Sequence, residues 1–274
     1  MSDRRLTPAN GRVAAAFLRG QVEAEAFVEG AAARVIAGVA DLCPAPSARR
    51  ERQVIFGDVV TVYERLGGWA FVQAAKDGYV GYIADGALGA PSAPTHFVAT
   101  LGTHLYEGES FKSRDLLALT LGSCVTVTAE GHKMWETPEG YIPKKHLRPL
   151  DKPFTDPATV AQAFFGVPYL WGGNSRAGID CSGVVQAALL ACAIPCPGDS
   201  DLQQAGLGEA IPDGVPPERG DIYFWKGHVG MLVDPATMIH ANAHHMACVY
   251  EPIADAIIRI EAQGDGKVTA RRRL

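Results

Sequence analysis

Four short segments in the second half of the chain decide its fold: Pro168-Tyr169-Leu170-Trp171-Gly172-Gly173, Asp180-Cys181-Ser182-Gly183, Gly227-His228-Val229-Gly230 and Ile239-His240-Ala241. The cysteine stands at the start of a predicted helix over 181–192, whose apolar residues form one stripe. The two histidines accompany the predicted neighbouring strands 229–233 and 237–241. A cysteine at a helix start with two histidines on a hairpin is the layout of a nucleophile, a base and an orienting group.

The chemistry of these three side chains follows from their predicted positions. Unpaired N–H groups and the positive dipole end of a helix favour a thiolate, so the sequence predicts a lowered pKa for Cys181. His228 and His240 are twelve residues apart with a turn at 234–236 between them, so both can lie on one face of the hairpin. One imidazole can then hydrogen-bond the other and fix its tautomer.

Two other interpretations of these residues stay open. Cys181 alone is equally typical of a buried structural cysteine. A zinc site could be built from Cys181, His240 and His244, since two histidines at 244 and 245 follow His240 closely. Zinc needs three or four convergent ligands, and the sequence contains no CxxC or HExxH segment. We therefore expect no metal and no cofactor.

Composition excludes several classes of function. The 274 residues are 47% hydrophobic and 20% charged, with a net charge of −5, so nucleic acid is not an expected partner. No apolar run approaches the roughly 20 residues of a membrane helix. The apolar run at 13–18 is short and is followed by Arg19, unlike a signal peptide, so we expect a cytoplasmic protein. In that compartment all six cysteines are expected to be free thiols.

The first half of the chain indicates a β-rich region after one helix. Apolar spacing over 11–29 predicts an amphipathic helix, giving an N-terminal helical segment at 1–30. Short strands separated by Gly-containing turns follow, and a weak internal repeat predicts two small barrels at 31–90 and 95–150. After a linker at 150–153, the domain at 155–274 mixes helices and antiparallel strands, which is an α+β fold, and the run at 271–273 is expected to be a solvated tail.

Taken together, the four quoted segments resemble the NlpC/P60 cysteine peptidases, and the β-rich first half is similar to the bacterial SH3-like domains fused to some members. The resemblance implies a papain-like α+β domain in which the helix carrying the cysteine packs on an antiparallel sheet. It implies that Cys181 attacks the scissile carbonyl, that His228 is the base and that His240 orients it. The reverse order of the histidines stays an alternative.

The resemblance also implies a set of substrate-binding residues. Tyr169 and Trp171 would line the cleft, Asp180 would cap the helix, and Ser182 would donate to a substrate carboxylate. The pair Asp199-Ser200 resembles an Arg-Asp-Ser segment whose acid binds a free peptide amine, although Gly198 replaces the arginine here. From the first barrel, Tyr82 and Glu51 would close one end of the cleft.

The function expected from this resemblance is hydrolysis of the γ-D-glutamyl–L-diamino acid bond in free stem peptides such as L-Ala-γ-D-Glu-diaminopimelate, during peptidoglycan recycling. The partners would be peptidoglycan-derived peptides with an unblocked N-terminal L-Ala, and neither nucleic acid nor membrane. Two alternatives remain: another cysteine hydrolase or acyltransferase on the same fold, or an inert peptidase-like scaffold protein.

Overall fold

A computed structural model describes residues 3–274, and the chain divides into two compact units at Leu150 and Asp151. This division falls in the segment 150–153, where the sequence predicts a linker. Within residues 3–274, every helix falls short of the length and apolar character that crossing a bilayer requires.

The predicted helix over 11–29 is wrong. This segment forms two short strands, β1 (Val13–Ala15) and β2 (Ala26–Val28), which pair in parallel, with a 3-10 turn at Ala16–Leu18 between them. Gly20 has φ of +81°, a left-handed conformation that ends any helix. The apolar side chain of Val13 instead packs against a cluster of Phe71, Val80 and Tyr82. Tertiary packing therefore overrides the helical spacing of the apolar residues.

The first β-rich region contains seven strands. They are β3 (Ala31–Val35), β4 (Val39–Leu42), β5 (Arg52–Ile55), β6 (Val59–Leu66), β7 (Trp69–Ala74), β8 (Val80–Ala84) and β9 (Leu88–Gly89). Five of them form a sheet in the order β8-β7-β6-β3-β9, and β4 and β5 form a separate hairpin. Alternating valines of β3, β6 and β7 fill one shared core, so this region buries apolar residues of its own.

The second β-rich region contains eight strands. They are β10 (His96–Val98), β11 (Gly102–Tyr106), β12 (Asp115–Thr120), β13 (Cys124–Val125), β14 (Ala129–Glu130), β15 (Met134–Thr137), β16 (Gly140–Pro143) and β17 (Leu147–Pro149). They form sheets in the orders β13-β10-β17 and β12-β11-β16-β15-β14. Their shared core includes Val98, Leu105, Leu119, Ile142 and, from the first region, Phe56.

The C-terminal unit packs helices on an antiparallel sheet. Its helices are α1 (Pro157–Gln162), α2 (Cys181–Ala191), α3 (Ser200–Gly206) and α4 (Ile253–Ala262). Its strands are β18 (Asn174–Ser175), β19 (Gly178–Ile179), β20 (Glu209–Ala210), β21 (Ile222–Trp225), β22 (His228–Asp234), β23 (Thr237–Asn242), β24 (Ala247–Pro252) and β25 (Ala270–Arg273). Six strands form one sheet in the order β20-β25-β21-β22-β23-β24, and α2 contacts β22 and β23 at its centre.

The predicted solvated tail at 271–273 is wrong. These residues form β25, which pairs with β21 inside the sheet. Arg273 donates to both carboxylate oxygens of the buried Asp221, from Nε at 2.7 Å and from Nη2 at 2.8 Å. A run of arginines looks solvated in the sequence because its acidic partner is about fifty residues away.

Candidate active site

The start of α2 is built around one carboxylate. Asp180 caps the helix, since its Oδ1 accepts hydrogen bonds from the Gly183 amide at 2.7 Å and the Ser182 hydroxyl at 3.0 Å. Its Oδ2 accepts from the Gly172 amide at 3.0 Å, which joins the segments 168–173 and 180–183. A Cβ at Gly183 would lie 2.7 Å from the Gly173 carbonyl oxygen, so this corner requires glycine. The predicted cap is confirmed, and it places Cys181 as the first residue of α2.

The environment of the Cys181 thiol differs from the prediction of a lowered pKa. The side chain is only 8% exposed. Burial raises the pKa of the Cys181 thiol to about 12, and the Asp180 carboxylate acts in the same direction. Backbone hydrogen bonds at Val229 and at the helix start lower this pKa only in part. Desolvation therefore outweighs the helix terminus, and the resting thiol is neutral.

The two histidines meet as the hairpin parity predicts. His228 begins β22 and His240 lies in β23, and His228 Nε2 is 2.8 Å from His240 Nδ1. Gly230 lies beside them, and a Cβ there would be 2.3 Å from Met238 Sδ and 3.2 Å from His240 Cβ. The glycine of the segment 227–230 therefore leaves the space in which the His240 side chain packs.

Both imidazoles are neutral in this environment. Burial lowers the pKa of His228 to about 3, and the neighbouring His240 lowers it further. Burial also lowers the pKa of His240, against the opposing effect of the Glu251 carboxylate. Neither the thiol nor an imidazole is therefore stable as a lone charge. Moving a proton from sulfur to imidazole creates both charges together, and their attraction offsets part of the desolvation cost.

A carboxylate and an arginine that the sequence did not identify continue this network. His240 Nε2 lies 2.9 Å from Glu251 Oε2, and Glu251 accepts two hydrogen bonds from Arg259, from Nε at 2.8 Å and from Nη2 at 2.7 Å. Glu251 lies in β24, where the register pairs it with Met238, so it is the diagonal neighbour of His240. Its position eleven residues after His240, close to the twelve residues that separate the two histidines, was the one sequence signal that could have found it.

A cavity of about 430 Å³ opens at the thiol. It is bounded by the turn after β21, the turn after β23 and the C-terminal end of α4. The residues lining it are Tyr169, Cys181, Lys226, Gly227, His228, Asn242, Ala243, His244, Arg259, Ile260, Gln263 and Asp265. Cys181 and His228 thus face one solvent-connected space that a peptide could enter.

The predicted substrate-binding residues of this unit differ in their exposure and in their hydrogen bonds. Tyr169 lines the cavity, and burial raises the pKa of its phenol. Trp171 is 69% exposed, so its ring is not a core residue. The Ser182 hydroxyl is buried and donates to Asp180, which engages the proton that was expected to bind a substrate carboxylate. Asp199 and Ser200 lie at the start of α3, where the Asp199 side chain makes no capping bond.

Tyr82 and Glu51 belong to the N-terminal unit. The Tyr82 hydroxyl accepts a hydrogen bond from Asn10 Nδ2 at 2.9 Å, and Tyr82 lines a cavity of about 570 Å³ within that unit. Glu51 precedes β5 and pairs with Arg4, whose Nη2 lies 2.6 Å from Glu51 Oε1. Both predicted residues therefore have polar partners in the segment that precedes the first barrel.

The alternative of a metal site finds no matching geometry in the described residues. Among residues 3–274, no group of three or more histidine, cysteine and acidic side chains is arranged to hold a metal ion. The His244 ring is instead bonded by Gln263, with 2.7 Å between Nε2 and Nδ1. No disulfide joins any of the six cysteines.

Comparison with known proteins finds two family models that match parts of this chain. Residues 166–258 match the model of the NlpC/P60 family. The C-terminal unit is an NlpC/P60 domain. Residues 42–88 match a second model, described as a bacterial dipeptidyl-peptidase SH3 domain.

Several relatives of this protein have names that describe an activity. The γ-D-glutamyl-L-lysine dipeptidyl-peptidase of Bacillus subtilis is 28% identical over 217 residues, which cover 70% of this chain and 72% of the relative. Dipeptidyl-peptidase 6 of Lysinibacillus sphaericus is 25% identical over 237 residues, which cover 76% of this chain and 86% of the relative. A crystal structure of an NlpC/P60 family protein from Bacillus cereus matches with a TM-score of 0.74 at 21% identity, over 89% of this chain and 99% of that one, which shows the fold.

Proposed function

We propose that the NlpC/P60 domain is a cysteine peptidase that hydrolyses the bond between the γ-carboxyl group of D-glutamate and an L-diamino acid in cell-wall stem peptides. The observation that carries this proposal is that Cys181 and His228 line one cavity and that His228 is hydrogen-bonded to His240. The relatives named γ-D-glutamyl-L-lysine dipeptidyl-peptidases support the choice of bond.

The mechanism follows from which atoms are already engaged. His228 Nε2 is bonded to His240, so Nδ1 is the nitrogen that can accept the proton from Sγ of Cys181. The thiolate attacks the γ-carbonyl carbon, and backbone N–H groups at the start of α2 stabilise the oxyanion. His228 then returns the proton to the departing amine of the diamino acid, and water activated by the same imidazole hydrolyses the thioester.

Recognition of a free N-terminal L-Ala is the finer part of the proposal. Asp199 would pair with the α-ammonium of that residue. Cleavage of the second bond would then release a dipeptide, which fits the word dipeptidyl-peptidase in the relatives' names. An N-acylated peptide loses this charge pairing, so it should be a poor substrate. Action on free peptides in the cytoplasm stays a prediction from the sequence.

On this proposal, the N-terminal unit contains two SH3-like barrels at 31–90 and 95–150. The peptidase domain at 155–274 follows them in the chain. The matched SH3 model at 42–88 and the presence of one main apolar core in each β-rich region support the division, with Phe56 of the first region packing in the core of the second. The second region contributes no residue to the chemistry proposed above.

The test is mass spectrometry of L-Ala-γ-D-Glu-diaminopimelate and of its lysine counterpart after incubation with the protein. We expect the dipeptide L-Ala-D-Glu and the free diamino acid, and no cleavage by Cys181→Ala. Replacing His228 by Ala should cost nearly as much, because the residues of one catalytic unit act together. Cys124→Ala, which alters a cysteine of the N-terminal unit, is the matched control and should retain activity.

Two outcomes would contradict parts of this proposal. Turnover by Cys181→Ala would refute the cysteine chemistry. Equal rates on free and N-acetylated peptides would refute the recognition of the amine while leaving the chemistry intact. If no stem peptide is cleaved but Cys181 still reacts with an alkylating agent faster than the other thiols, another amide or ester is the substrate. An unreactive Cys181 favours the scaffold alternative.

A further inference from the structure

His240 Nε2 lies within hydrogen-bond distance of one acceptor and one donor, which require different protonation states of this nitrogen. Glu251 Oε2 lies 2.9 Å away and can only accept a hydrogen bond, while Asn242 Nδ2 lies 3.0 Å away and can only donate one. A ring nitrogen carries either a proton or a lone pair, so it satisfies only one of them. His240 is fully buried, and water cannot relieve the conflict.

The orientation of the Asn242 amide is not adjustable. Asn242 is 6% exposed, and its Oδ1 accepts a hydrogen bond from the backbone N–H of His245 at 2.8 Å. Turning the amide over would place its NH₂ group against that backbone N–H. The amide therefore keeps its donor aimed at His240, and it favours a lone pair on Nε2.

Glu251 is held as a carboxylate that favours the opposite tautomer. Burial acts to raise its pKa, but hydrogen bonds from Arg259 and His240 outweigh burial and bring the pKa well below its ordinary value. Charge-assisted hydrogen bonds are about twice as strong as neutral ones. A buried carboxylate facing a lone pair would also lose its partner. The proton on Nε2 of His240 is therefore favoured over the lone pair.

This choice determines which nitrogen of His228 carries a lone pair. With the proton on Nε2, His240 Nδ1 is an acceptor, so His228 must donate to it from Nε2 at 2.8 Å. His228 Nδ1 is then left with a lone pair. If Asn242 prevailed, both protons would move to the Nδ1 atoms, and His228 would present a donor where the reaction needs a base.

We propose that Glu251 is a positioning residue that sets the tautomer of both imidazoles, and that Asn242 is the competing donor that its charge overcomes. The role of this pair in catalysis rests on the proposed function. The tautomers themselves do not, because they follow from the contacts around His240.

The experiment compares Glu251→Gln with the double variant that also carries Asn242→Asp. Glutamine keeps the size of the side chain and removes the charge, so the Asn242 donor should prevail. Aspartate at 242 keeps an acceptor for His245 N–H and places a new carboxylate at His240 Nε2. Glu261→Gln is the matched control, because this exposed side chain lies on α4 beside a solvated lysine.

We expect Glu251→Gln to lower kcat by about 10³-fold with KM little changed. This loss is about tenfold smaller than the roughly 10⁴-fold cost of the equivalent Asp→Asn change in a serine protease triad. The double variant should recover at least tenfold of that loss. Imidazole ¹⁵N shifts should place the protons of His228 and His240 on Nε2 in the wild type and in the double variant, and on Nδ1 in Glu251→Gln. Alkylation of Cys181 by iodoacetamide should slow in parallel.

A folded Glu251→Gln variant with wild-type kcat and unchanged ¹⁵N shifts would overturn the proposal. So would a folded double variant that recovers nothing, because Glu251 would then be only structural. If Glu251→Gln fails to fold, the wild-type shifts decide, and a proton on Nδ1 of His240 contradicts the assignment. Absence of stem-peptide cleavage by the wild type refutes the proposed function instead, while shifts and alkylation rates still test the tautomers.

Discussion

Two buried carboxylates in the C-terminal unit are each held by a forked pair of hydrogen bonds from one arginine. Glu251 is held by Arg259 at 2.8 and 2.7 Å, and Asp221 by Arg273 at 2.7 and 2.8 Å. The remaining bonds differ. Glu251 also bonds His240, whereas Asp221 accepts from the backbone N–H of Glu218. One ion pair therefore ends at the candidate catalytic residues, and the other fastens the last strand of the sheet.

The difference teaches that ion-pair geometry alone does not reveal a role. A buried ion pair is weak evidence for stability, because desolvation of the two charges offsets much of their attraction. What separates the two pairs is the group at the far side of each carboxylate. An imidazole can carry its proton on either of two nitrogens, so the carboxylate selects its tautomer. A backbone amide has one fixed N–H and offers no such selection.

The largest expected effect separates the two carboxylates by kcat and by stability. Asp221→Asn should lower the urea midpoint and keep kcat within about twofold, because it loosens β25 without touching His240. Glu251→Gln should leave the urea midpoint little changed and lower kcat by about 10³-fold. Stem-peptide kinetics and urea unfolding of both variants measure these opposite effects on kcat and on the urea midpoint. A comparable loss of kcat in the two variants would show that the pairs share one structural role.

The next effect separates the two arginines by the pH dependence of kcat. In Arg259→Gln, Glu251 stays buried without its cation, so its pKa rises above the depressed wild-type value. Activity should then fall as pH is lowered through the new pKa, because a protonated carboxyl can donate to His240 Nε2. At higher pH Glu251 is ionised and activity returns. Arg273→Gln should keep the wild-type profile, and parallel profiles in the two variants would contradict the assignment.

The positions of Cys181, His228 and His240 were predictable, because local rules govern them. Asp180 is a strong capping residue three positions before a glycine amide, and the hairpin parity places two histidines on one face. Glu251 was not singled out, because its meaning depends on Arg259 in a helix that the sequence analysis did not identify. The pKa of Cys181 was predicted in the wrong direction, since burial is a property of the whole domain and the helix terminus is a local one.

The same limit explains the two secondary-structure errors. The apolar spacing over 11–29 is compatible with a helix, but Val13 finds its partners near Phe71 and Tyr82, about sixty residues away. The arginines at 271–273 become a strand through Asp221. Both segments are decided by long-range contacts that no local window contains. The strands β22 and β23 were predicted closely because their own apolar runs and the turn between them specify them.

The smallest expected effect concerns the contribution of the buried His228 to stability at acidic pH. The pKa of His228 falls from 6.5 to about 3 on folding, so between these values the unfolded chain binds more protons than the folded one. The free energy of unfolding should therefore decrease as pH falls from 6.5 towards 3 and stay level above 6.5, by at most about 1.4 kcal/mol per pH unit for this group. His228→Gln should flatten the slope, while Lys226→Gln, a change on the adjacent turn, should leave it unchanged. Urea midpoints at four or five pH values measure the slopes, and equal slopes in wild type and His228→Gln would mean that His228 is not held neutral in the folded protein.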